Sequence, residues 1–331
     1  MFVRNQWYVL CSSADLASRP LGRVVCGIPM VAFRTQSGRV GIVQDLCSHR
    51  RAPLSMGRVQ GENLRCVYHG MEFGTDGQCL HIPSQSVIPR MAHVQAFPAI
   101  ERYGFIWVWP GDAEAAEALL PQLPWRESKA WNSGLIQYFP VKASYLYMND
   151  NLLDLSHVAF LHESSIGFDP RLLSEDPLEI EVTDDGVVNR RCFKDVEQAP
   201  AHREWYPFPG RVDRVQVAEW TPPGRISVLV RNSAEGVDVD LRADHLLTPE
   251  TATTHHYYIA LSRNFRIEDE ALSERLNADA LRVHQEDVDI AEAQQRMALA
   301  MPHARDLPLQ ADRGMQAAHR IMKRLLDASA V

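Results

Sequence analysis

Two short Cys/His pairs place the strongest constraint on how this 331-residue chain can fold. Cys47 and His49 form a Cys-x-His pair, Cys66 and His69 form a Cys-x-x-His pair, and sixteen residues separate His49 from Cys66. Each pair puts one thiolate and one imidazole on a turn. Four such ligands suit a tetrahedral zinc ion, and a 2Fe-2S cluster needs the same four shared between two irons. The spacing alone does not distinguish a zinc ion from a 2Fe-2S cluster. If the four residues were unrelated core residues, both Cys/His pairs would have arisen by coincidence.

The sequence around the pairs favours the cluster. In a Rieske centre two Cys hold one iron and two His hold the other, so each turn supplies one ligand to each iron. The segments CSHRRAPLSMGRV and LRCVYHGMEFGTDGQC resemble the Rieske signature of oxygenases, with Pro after the first loop and Tyr-His-Gly in the second. Zinc ribbons usually carry paired Cys-x-x-Cys loops instead. A further Cys-x-His pair, Cys79 and His81, lies only nine residues after His69 and is interpreted as packing or loop residues.

The distribution of apolar runs predicts an α+β fold in two domains. Length suggests two domains at about 150 residues each. Short β-branched and aromatic runs separated by turn residues, from Val24 to about Pro110, predict an N-terminal antiparallel β domain. Strand-like segments over 178–261 and a helical pattern from Asp269 to about Ala300 predict a second antiparallel sheet flanked by helices, a helix-grip arrangement. The domains are predicted at 1–135 and 136–331.

A second set of metal-ligating residues lies in YLYMNDNLLDLSHVAFLH, which is predicted to be mostly one buried helix over 145–160. Asp150, Asp154 and His157 recur at helical spacing and share a face. His162 lies five residues after His157, about 140° away on an ideal helix. The two His therefore converge only if the helix ends or bulges there. Two His and one carboxylate form the facial triad of non-haem Fe(II) enzymes.

Nearly the whole chain, from MFVRNQWYV through NDNLLDLSHVAFLHESSIG to HQEDVDIAEAQQ, resembles the oxygenase components of the vanillate O-demethylase group of Rieske non-haem iron oxygenases. The resemblance implies a Rieske cluster on Cys47, His49, Cys66 and His69, and a mononuclear Fe(II). It implies His157, His162 and Asp287 as the iron ligands, with Asp289, Glu286 and Glu292 as alternatives to Asp287. It also implies that Asp154 bridges His69 of one subunit and His157 of the next, and that Asn151 lies near the iron.

The resemblance further implies O2 as co-substrate, a homotrimer and a small aromatic acid substrate. The expected reaction is oxidative O-demethylation of a methoxylated acid such as vanillate to a phenol and formaldehyde. The alternative is hydroxylation of a ring or methyl group, as with phthalate or toluenesulfonate. No Gly-x-Gly-x-x-Gly nucleotide fingerprint is present, so NAD(P)H is expected to act through a separate reductase or ferredoxin.

Charge and cysteine content indicate which binding partners and which cellular compartment to expect. The formal net charge of −8 predicts no attraction to nucleic acid or to an anionic membrane. Six Cys are too few for a disulfide scaffold, and no apolar run approaches the ~20 residues of a membrane span, so a cytoplasmic enzyme is expected. Two groups of residues are possible pocket contacts without a preferred member: His245, His255 and His256, and Arg190, Arg191, Arg203 and Trp205.

Overall fold

The computed structural model describes residues 2–17, 19–112, 114–175 and 178–328, and the chain divides into two compact units. Unit 1 comprises Met1–Pro121 and Thr248–Thr251, and unit 2 comprises Gln122–Leu247 and Ala252–Val331. The change of unit therefore falls at Pro121, earlier than the predicted boundary near residue 135.

In its described residues, unit 1 contains three small antiparallel sheets, with strand orders β1-β11-β10, β2-β3-β4-β9 and β5-β6-β7-β8. Its strands are β1 (Tyr8–Ser12), β2 (Leu21–Val25), β3 (Ile28–Arg34), β4 (Val40–Gln44), β5 (Arg58–Gln60), β6 (Asn63–Arg65), β7 (Glu72–Phe73), β8 (Cys79–His81), β9 (Ala96–Phe97), β10 (Ala99–Arg102) and β11 (Phe105–Val108).

Strand β3 lies between the two cores of unit 1 because successive side chains point to opposite faces. Met30 and Ala32 pack with the residues of β1 and β11, while Val31 and Phe33 pack with the residues around the two Cys/His turns. The first apolar run of the predicted β domain, from Val24 to Phe33, forms a hairpin, since β2 and β3 pair across a turn at Cys26 and Gly27. The Cys/His turns are thus fixed to a buried strand.

Unit 2 is built on one seven-stranded antiparallel sheet with helices, in the order β12-β18-β17-β16-β15-β14-β13. The α+β class and the antiparallel sheets of both domains are confirmed. Its strands are β12 (Asn132–Val141), β13 (Glu179–Val182), β14 (Val187–Val196), β15 (Val212–Thr221), β16 (Arg225–Ala234), β17 (Val237–Thr251) and β18 (Thr254–Arg263). Its helices are α1 (Tyr145–Leu153), α2 (Val158–Leu161), α3 (Leu172–Glu175), α4 (Pro200–Trp205), α5 (Glu270–Ala300) and α6 (Arg313–Ala328).

Helix α5 presents one continuous buried stripe. Asp269 caps its N-terminus by accepting a hydrogen bond from the Leu272 amide at 2.9 Å. The residues buried along it recur at intervals of three and four, and they are Leu272, Leu276, Ala280, Val283, His284, Asp287, Val288, Ala291 and Gln295. The stripe is apolar except at His284, Asp287 and Gln295. Two of these polar positions, His284 and Asp287, belong to the site described below.

The helix predicted over 145–160 is interrupted at Asp154. Helix α1 ends at Leu153, a 3-10 turn covers Leu155–His157, and α2 follows. Asp154 has φ −102° and ψ 88°, outside the helical region, and its Oδ1 accepts the Ser156 amide at 3.0 Å. The single helical face proposed for Asp150, Asp154 and His157 is therefore wrong, because an Asp side chain competes with the backbone for its hydrogen bonds.

None of the helices in the described part of unit 1 or unit 2 is long and apolar enough to cross a membrane.

Candidate metal centres and cavity

The two Cys/His turns of unit 1 share one backbone geometry. The Cys47 amide donates to the Ala52 carbonyl at 2.9 Å, and the Cys66 amide donates to the Met71 carbonyl at 2.8 Å. Each hydrogen bond spans five residues, and four residues after each Cys the chain takes a positive φ, 60° at Arg51 and 74° at Gly70. The Gly of Tyr-His-Gly thus occupies a left-handed position that a Cβ would strain.

The four candidate ligands converge, with thiols inside and imidazoles outside. Cys47 and Cys66 are buried, each 2% exposed, whereas His49 and His69 are exposed and their ring centroids lie 4.5 Å apart. Burial, together with the neighbouring Cys66 thiol, raises the pKa of Cys47 to about 11. A buried thiol such as Cys47 resists ionisation unless a cation is bound to it, so this donor set fits a cluster with the two Cys on its inner iron.

Cys79 and His81 do not join this group. Cys79 lies in β8 within the core, and His81 is exposed with its Nδ1 3.8 Å from Glu72 Oε1. Their interpretation as packing residues agrees with this placement.

In unit 2 the structure brings His157, His162 and Asp287 together. One ligand atom from each lies within 4.8 Å of the others. Asp287 Oδ1 is 3.4 Å from His157 Nε2 and 3.1 Å from His162 Nε2. The interruption at Asp154 and the end of α2 at Leu161 place both imidazoles on one side despite their five-residue spacing.

Each imidazole is oriented by its other nitrogen. His157 Nδ1 donates to the Asp154 backbone carbonyl at 2.7 Å, and His162 Nδ1 donates to Glu286 Oε2 at 2.6 Å. Both Nδ1 atoms therefore carry a proton, so Nε2, which faces Asp287 in each ring, is the nitrogen that would bind a metal in place of a second proton. Glu286, predicted from the sequence only as an alternative iron ligand, is instead the hydrogen-bond partner of His162. Its position next to Asp287 in the sequence is the one feature that could have indicated this role.

Asp287 stays ionised in this setting. Burial alone would raise its pKa, but hydrogen bonds from His157 and His162 outweigh burial and lower it. For His162, burial would lower the pKa, but its contacts with Asp287 and Glu286 outweigh burial and raise it. Two imidazole nitrogens and one buried carboxylate are a donor set that fits Fe(II). Asn151 Nδ2 donates to Asp287 Oδ1 at 3.1 Å, which places Asn151 at the triad.

The other acidic candidates have different partners. Asp289 is exposed and accepts from Gln285 Nε2 at 2.8 Å, and Glu292 accepts the Lys142 amide at 2.9 Å. The Asp154 side chain is used as a cap for the turn after α1, so within one chain its contact with His157 is made by its backbone carbonyl.

A cavity of about 110 Å³ adjoins the triad within unit 2. Its wall is mostly aliphatic and comes from α1, α2, β16, β17, β18 and α5, while its polar lining includes His202, Gln216, His245 and His284. Trp205 also lines the cavity. His255 and His256 do not: they bond to the Ala143 carbonyl at 2.8 Å and to the Tyr138 hydroxyl at 3.0 Å.

The arginines considered as pocket contacts lie elsewhere. Arg203 pairs with Glu197 at 2.8 Å on the surface, and Arg191 donates to the Leu173 carbonyl at 3.4 Å. Arg190 is exposed. Within the described residues, the cavity lining contains no Lys and no Arg.

Comparison with known proteins supports the metal centres. Residues 6–98 match the Rieske [2Fe-2S] domain, and residues 141–328 match the vanillate O-demethylase oxygenase C-terminal domain. The vanillate O-demethylase oxygenase subunit of Pseudomonas sp. strain HR199 is 37% identical, with 99% of this chain and 96% of the relative covered. A toluene-4-sulfonate monooxygenase iron-sulfur subunit from Comamonas testosteroni is 32% identical, covering 99% and 98%.

Solved structures of dicamba monooxygenase share the fold. The form bound to 3,6-dichlorosalicylic acid has a TM-score of 0.95 at 29% identity, covering 100% of this chain and 99% of that chain. The form with non-haem iron and dicamba has a TM-score of 0.84 at 29% identity, with the same coverage. Because two Cys/His turns fit a Rieske cluster, a His/His/Asp triad fits a mononuclear iron, and both domains match, the chain belongs to the vanillate O-demethylase oxygenase family of Rieske non-haem iron oxygenases and is an oxidoreductase.

Proposed function

We propose that this protein is the terminal oxygenase of a multi-component system that removes a methyl group oxidatively from a methoxylated aromatic acid such as vanillate. The observation that carries the proposal is the apolar cavity with the His157, His162 and Asp287 triad in its wall. The products are a phenol and formaldehyde. The full-length similarity to a vanillate O-demethylase oxygenase subunit supports the same reaction.

The proposed ligands follow from the donor sets. Cys47 and Cys66 would hold one iron of the cluster and His49 and His69 the other, while the triad would hold Fe(II). When bound, the cluster supplies single electrons and Fe(II) supplies activation of O2. The overall change consumes one ether, O2, two electrons and two protons. One oxygen atom enters the methyl group, the other becomes water, and the resulting hemiacetal separates into phenol and formaldehyde.

The protein residues hold this chemistry in place. Glu286 and the Asp154 carbonyl fix the ring orientation of the two His, and Asn151 fixes the Asp287 carboxylate. The aliphatic wall keeps bulk water away from the reacting methyl group. We propose in addition that the Asp154 carboxylate connects the cluster of one subunit, through His69, to His157 of the next subunit in a homotrimer.

Electrons are proposed to enter through the exposed side of the Rieske unit from an NAD(P)H-dependent reductase or ferredoxin. Around His49 and His69 the chain exposes large apolar side chains: Met56 is 67% exposed, Val67 61% and Tyr68 64%. Exposed apolar side chains of this size commonly mark a docking surface. We propose that the N-terminal domain, predicted at 1–135 and divided by its contacts after Pro121, relays electrons, and that the C-terminal domain, predicted at 136–331, is catalytic. We also propose a cytoplasmic setting in aromatic catabolism, without nucleic-acid or membrane partners.

A second reaction is supported by one specific similarity. The toluene-4-sulfonate monooxygenase subunit matches this chain over its full length. Hydroxylation of a ring or methyl group would use the same metals and differ only in what the cavity places next to the iron.

One assay separates these reactions. The iron-loaded protein is incubated with a surrogate reductase, NADH and O2 on methoxybenzoates, phthalate and toluenesulfonate, and products are quantified. Formaldehyde in a one-to-one ratio with phenol is expected, whereas a ring or benzylic alcohol without formaldehyde would establish the second reaction. Iron analysis is expected to give about three irons per chain, and about two after His162→Ala, with the cluster absorbance retained. Asp289→Asn, on the same helix, is the matched control.

A further inference from the structure

An arginine precedes one cluster ligand in the sequence and packs beside the other ligand of the same turn. Arg65 is the last residue of β6, and Cys66 follows it directly. Its guanidinium lies against Gly70, the residue after His69: a Cβ built on Gly70 would be 3.2 Å from Arg65 Nη2 and 3.4 Å from Nε. The Gly70 amide donates to the Cys66 carbonyl at 3.2 Å and closes the turn. The charged end of Arg65 is thus fixed on the turn that supplies Cys66 and His69.

Two neutral neighbours hold the guanidinium. Arg65 Nη1 donates to Gln60 Oε1 at 2.9 Å. Nε and Nη2 face Gly70, where a positive φ of 74° and the missing Cβ leave the space that they fill. Neither neighbour carries a charge, so the positive charge of Arg65 is held in place but not neutralised.

No carboxylate pairs with Arg65 among the residues that the structure describes. The residue opposite it on β5 is Arg58, which has the same charge, and the residue opposite it on β7 is Glu72. The Glu72 carboxylate has other partners, since Oε2 accepts from Asn63 Nδ2 at 3.1 Å and Oε1 lies 3.8 Å from His81 Nδ1. Like charges on directly opposite strand residues are destabilising, so the stability of this sheet does not explain the Arg58–Arg65 pair.

The surface next to the two imidazoles carries arginines and no acidic side chain in its described lining. An open recess of about 440 Å³ is lined by residues that include Arg58, Arg65 and His69. A second recess, of about 370 Å³, is lined by residues that include His49 and His69. Neither described lining contains Asp or Glu. The local charge is therefore positive in a chain whose net charge is −8.

A fixed positive charge favours the reduced state of a nearby redox centre. Reduction of the cluster adds one electron and hence one negative charge, which a cation attracts. The reduction potentials of iron–sulfur clusters depend on the charges, hydrogen bonds and solvent around them. Arg65 supplies such a charge on the ligand turn itself, and no carboxylate in the described structure offsets it.

We propose that Arg65 raises the reduction potential of the Rieske cluster and so favours transfer of an electron from the reductase to the cluster. In this step the reductase loses one electron and the cluster gains one. The inference rests on the electron relay of the proposed function and adds to it a residue that binds neither metal nor substrate. Gln60 and Gly70 are positioning residues, because one bonds the guanidinium and the other leaves room for it.

The test is a redox titration of the cluster in the full-length chain, without substrate or O2, followed by the visible absorbance of the cluster. Arg65→Gln is expected to lower the reduction potential by about 30–60 mV, a three- to tenfold change in the ratio of reduced to oxidised cluster for one electron. Arg65→Lys keeps the charge and loses the planar fork, so it is expected to retain most of the potential. An unchanged potential in Arg65→Gln, or an equal shift in both variants, would overturn the proposal.

Gln60→Glu tests the charge without replacing Arg65. The new carboxylate would face Arg65 Nη1 in place of the amide oxygen and would compensate the guanidinium, while the packing on Gly70 stays. The potential is expected to fall, as in Arg65→Gln, and to fall less at high salt because exposed charges are screened. This variant provides the test if Arg65→Gln does not assemble a cluster. An unchanged potential would refute the role of the charge.

Arg39→Gln is the matched control, because Arg39 is an exposed arginine of the same unit that is already paired with Glu62, at 3.5 Å. Arg39 lines neither recess, and its replacement is expected to leave the potential unchanged. A shift equal to that of Arg65→Gln would show an effect of net charge and contradict a local one. The proposed function has a separate outcome: a shifted potential without formaldehyde in the complete system would refute only demethylation, whereas formaldehyde with an unshifted potential would refute only the role of Arg65.

Discussion

Replacing Glu286 by Leu is expected to weaken Fe(II) binding without touching a ligand. The carboxylate accepts from His162 Nδ1 at 2.6 Å and keeps Nε2 free for the metal. A hydrogen bond to a charged group contributes about 1.5–3 kcal/mol. The Glu286 side chain is 33% exposed, so solvent screening favours the lower limit, about 1.5 kcal/mol or roughly tenfold in affinity. That lies within the ~10–100-fold range for losing a partner of a ligating imidazole.

The assay is competition for Fe(II) against a chromophoric chelator under anaerobic conditions, with the visible absorbance of the Rieske cluster as the internal measure of intact protein. Glu286→Gln keeps an amide acceptor but loses the charge, so an intermediate affinity is expected. Asp289→Asn removes a carboxylate from the same turn of α5 that is bonded only to Gln285 in the described structure. If Glu286→Leu binds Fe(II) within twofold of the Asp289→Asn variant, the orientation argument is wrong.

Three further changes are informative. Asp154→Asn keeps an oxygen to cap the Ser156 amide, so both metals should remain while reductase-driven turnover stops; full turnover would contradict the bridging role. Burial lowers the pKa of His255 to about 4, compared with 6.5 for the free group. Between these two pH values the unfolded chain binds more protons than the folded chain. The free energy of unfolding should therefore fall by up to ~1.4 kcal/mol per pH unit on acidification. Urea unfolding at about pH 5 and about pH 7 should show a smaller difference in His255→Gln, and an unchanged difference would count against this assignment. Gly77→Ala should destabilise unit 1 and lower cluster occupancy more than Gly61→Ala. Both glycines have positive φ (76° and 62°), but only at Gly77 would a Cβ meet the backbone, 2.1 Å from the Val94 carbonyl oxygen. Equal melting temperatures of the two variants would show that this steric contact does not matter.

The features that local sequence determines were predictable. Helix α5 was predicted from Asp269 to about Ala300, because an Asp cap and apolar residues at intervals of three and four both act within a few residues. The cluster turns follow from a short motif. Within the predicted strand region 178–261, charged residues such as Arg191 and Asp240 interrupt the apolar pattern of β14 and β17, so the bounds of these two strands follow from pairing with their neighbours β15 and β16 and not from local pattern.

The candidate site divides in the same way. The sequence pattern identified His157 and His162 as candidate ligands and indicated that they converge only if the helix ends or bulges between them. It did not predict that Asp154 would interrupt the helix. His284 Nδ1 is hydrogen-bonded to Gln137 Oε1, 147 positions earlier in the chain, and no local sequence pattern predicts such a contact. The role of Glu286 could have been suspected only from its position beside Asp287.

The inclusion of Thr248–Thr251 in unit 1 has a consequence for the order of synthesis. The amides of Cys26 and Gly27 donate to the carbonyls of Pro249 and Glu250, at 2.7 and 3.0 Å, and the Thr248 hydroxyl donates to the Val9 carbonyl at 2.7 Å. When the ribosome has released the first 121 residues, these hydrogen bonds have no partner. Unit 1, which holds the cluster ligands, therefore completes its hydrogen bonding only after strands β12 to β17 have been synthesised. A fragment ending at residue 121 would lack the partners of these three hydrogen bonds.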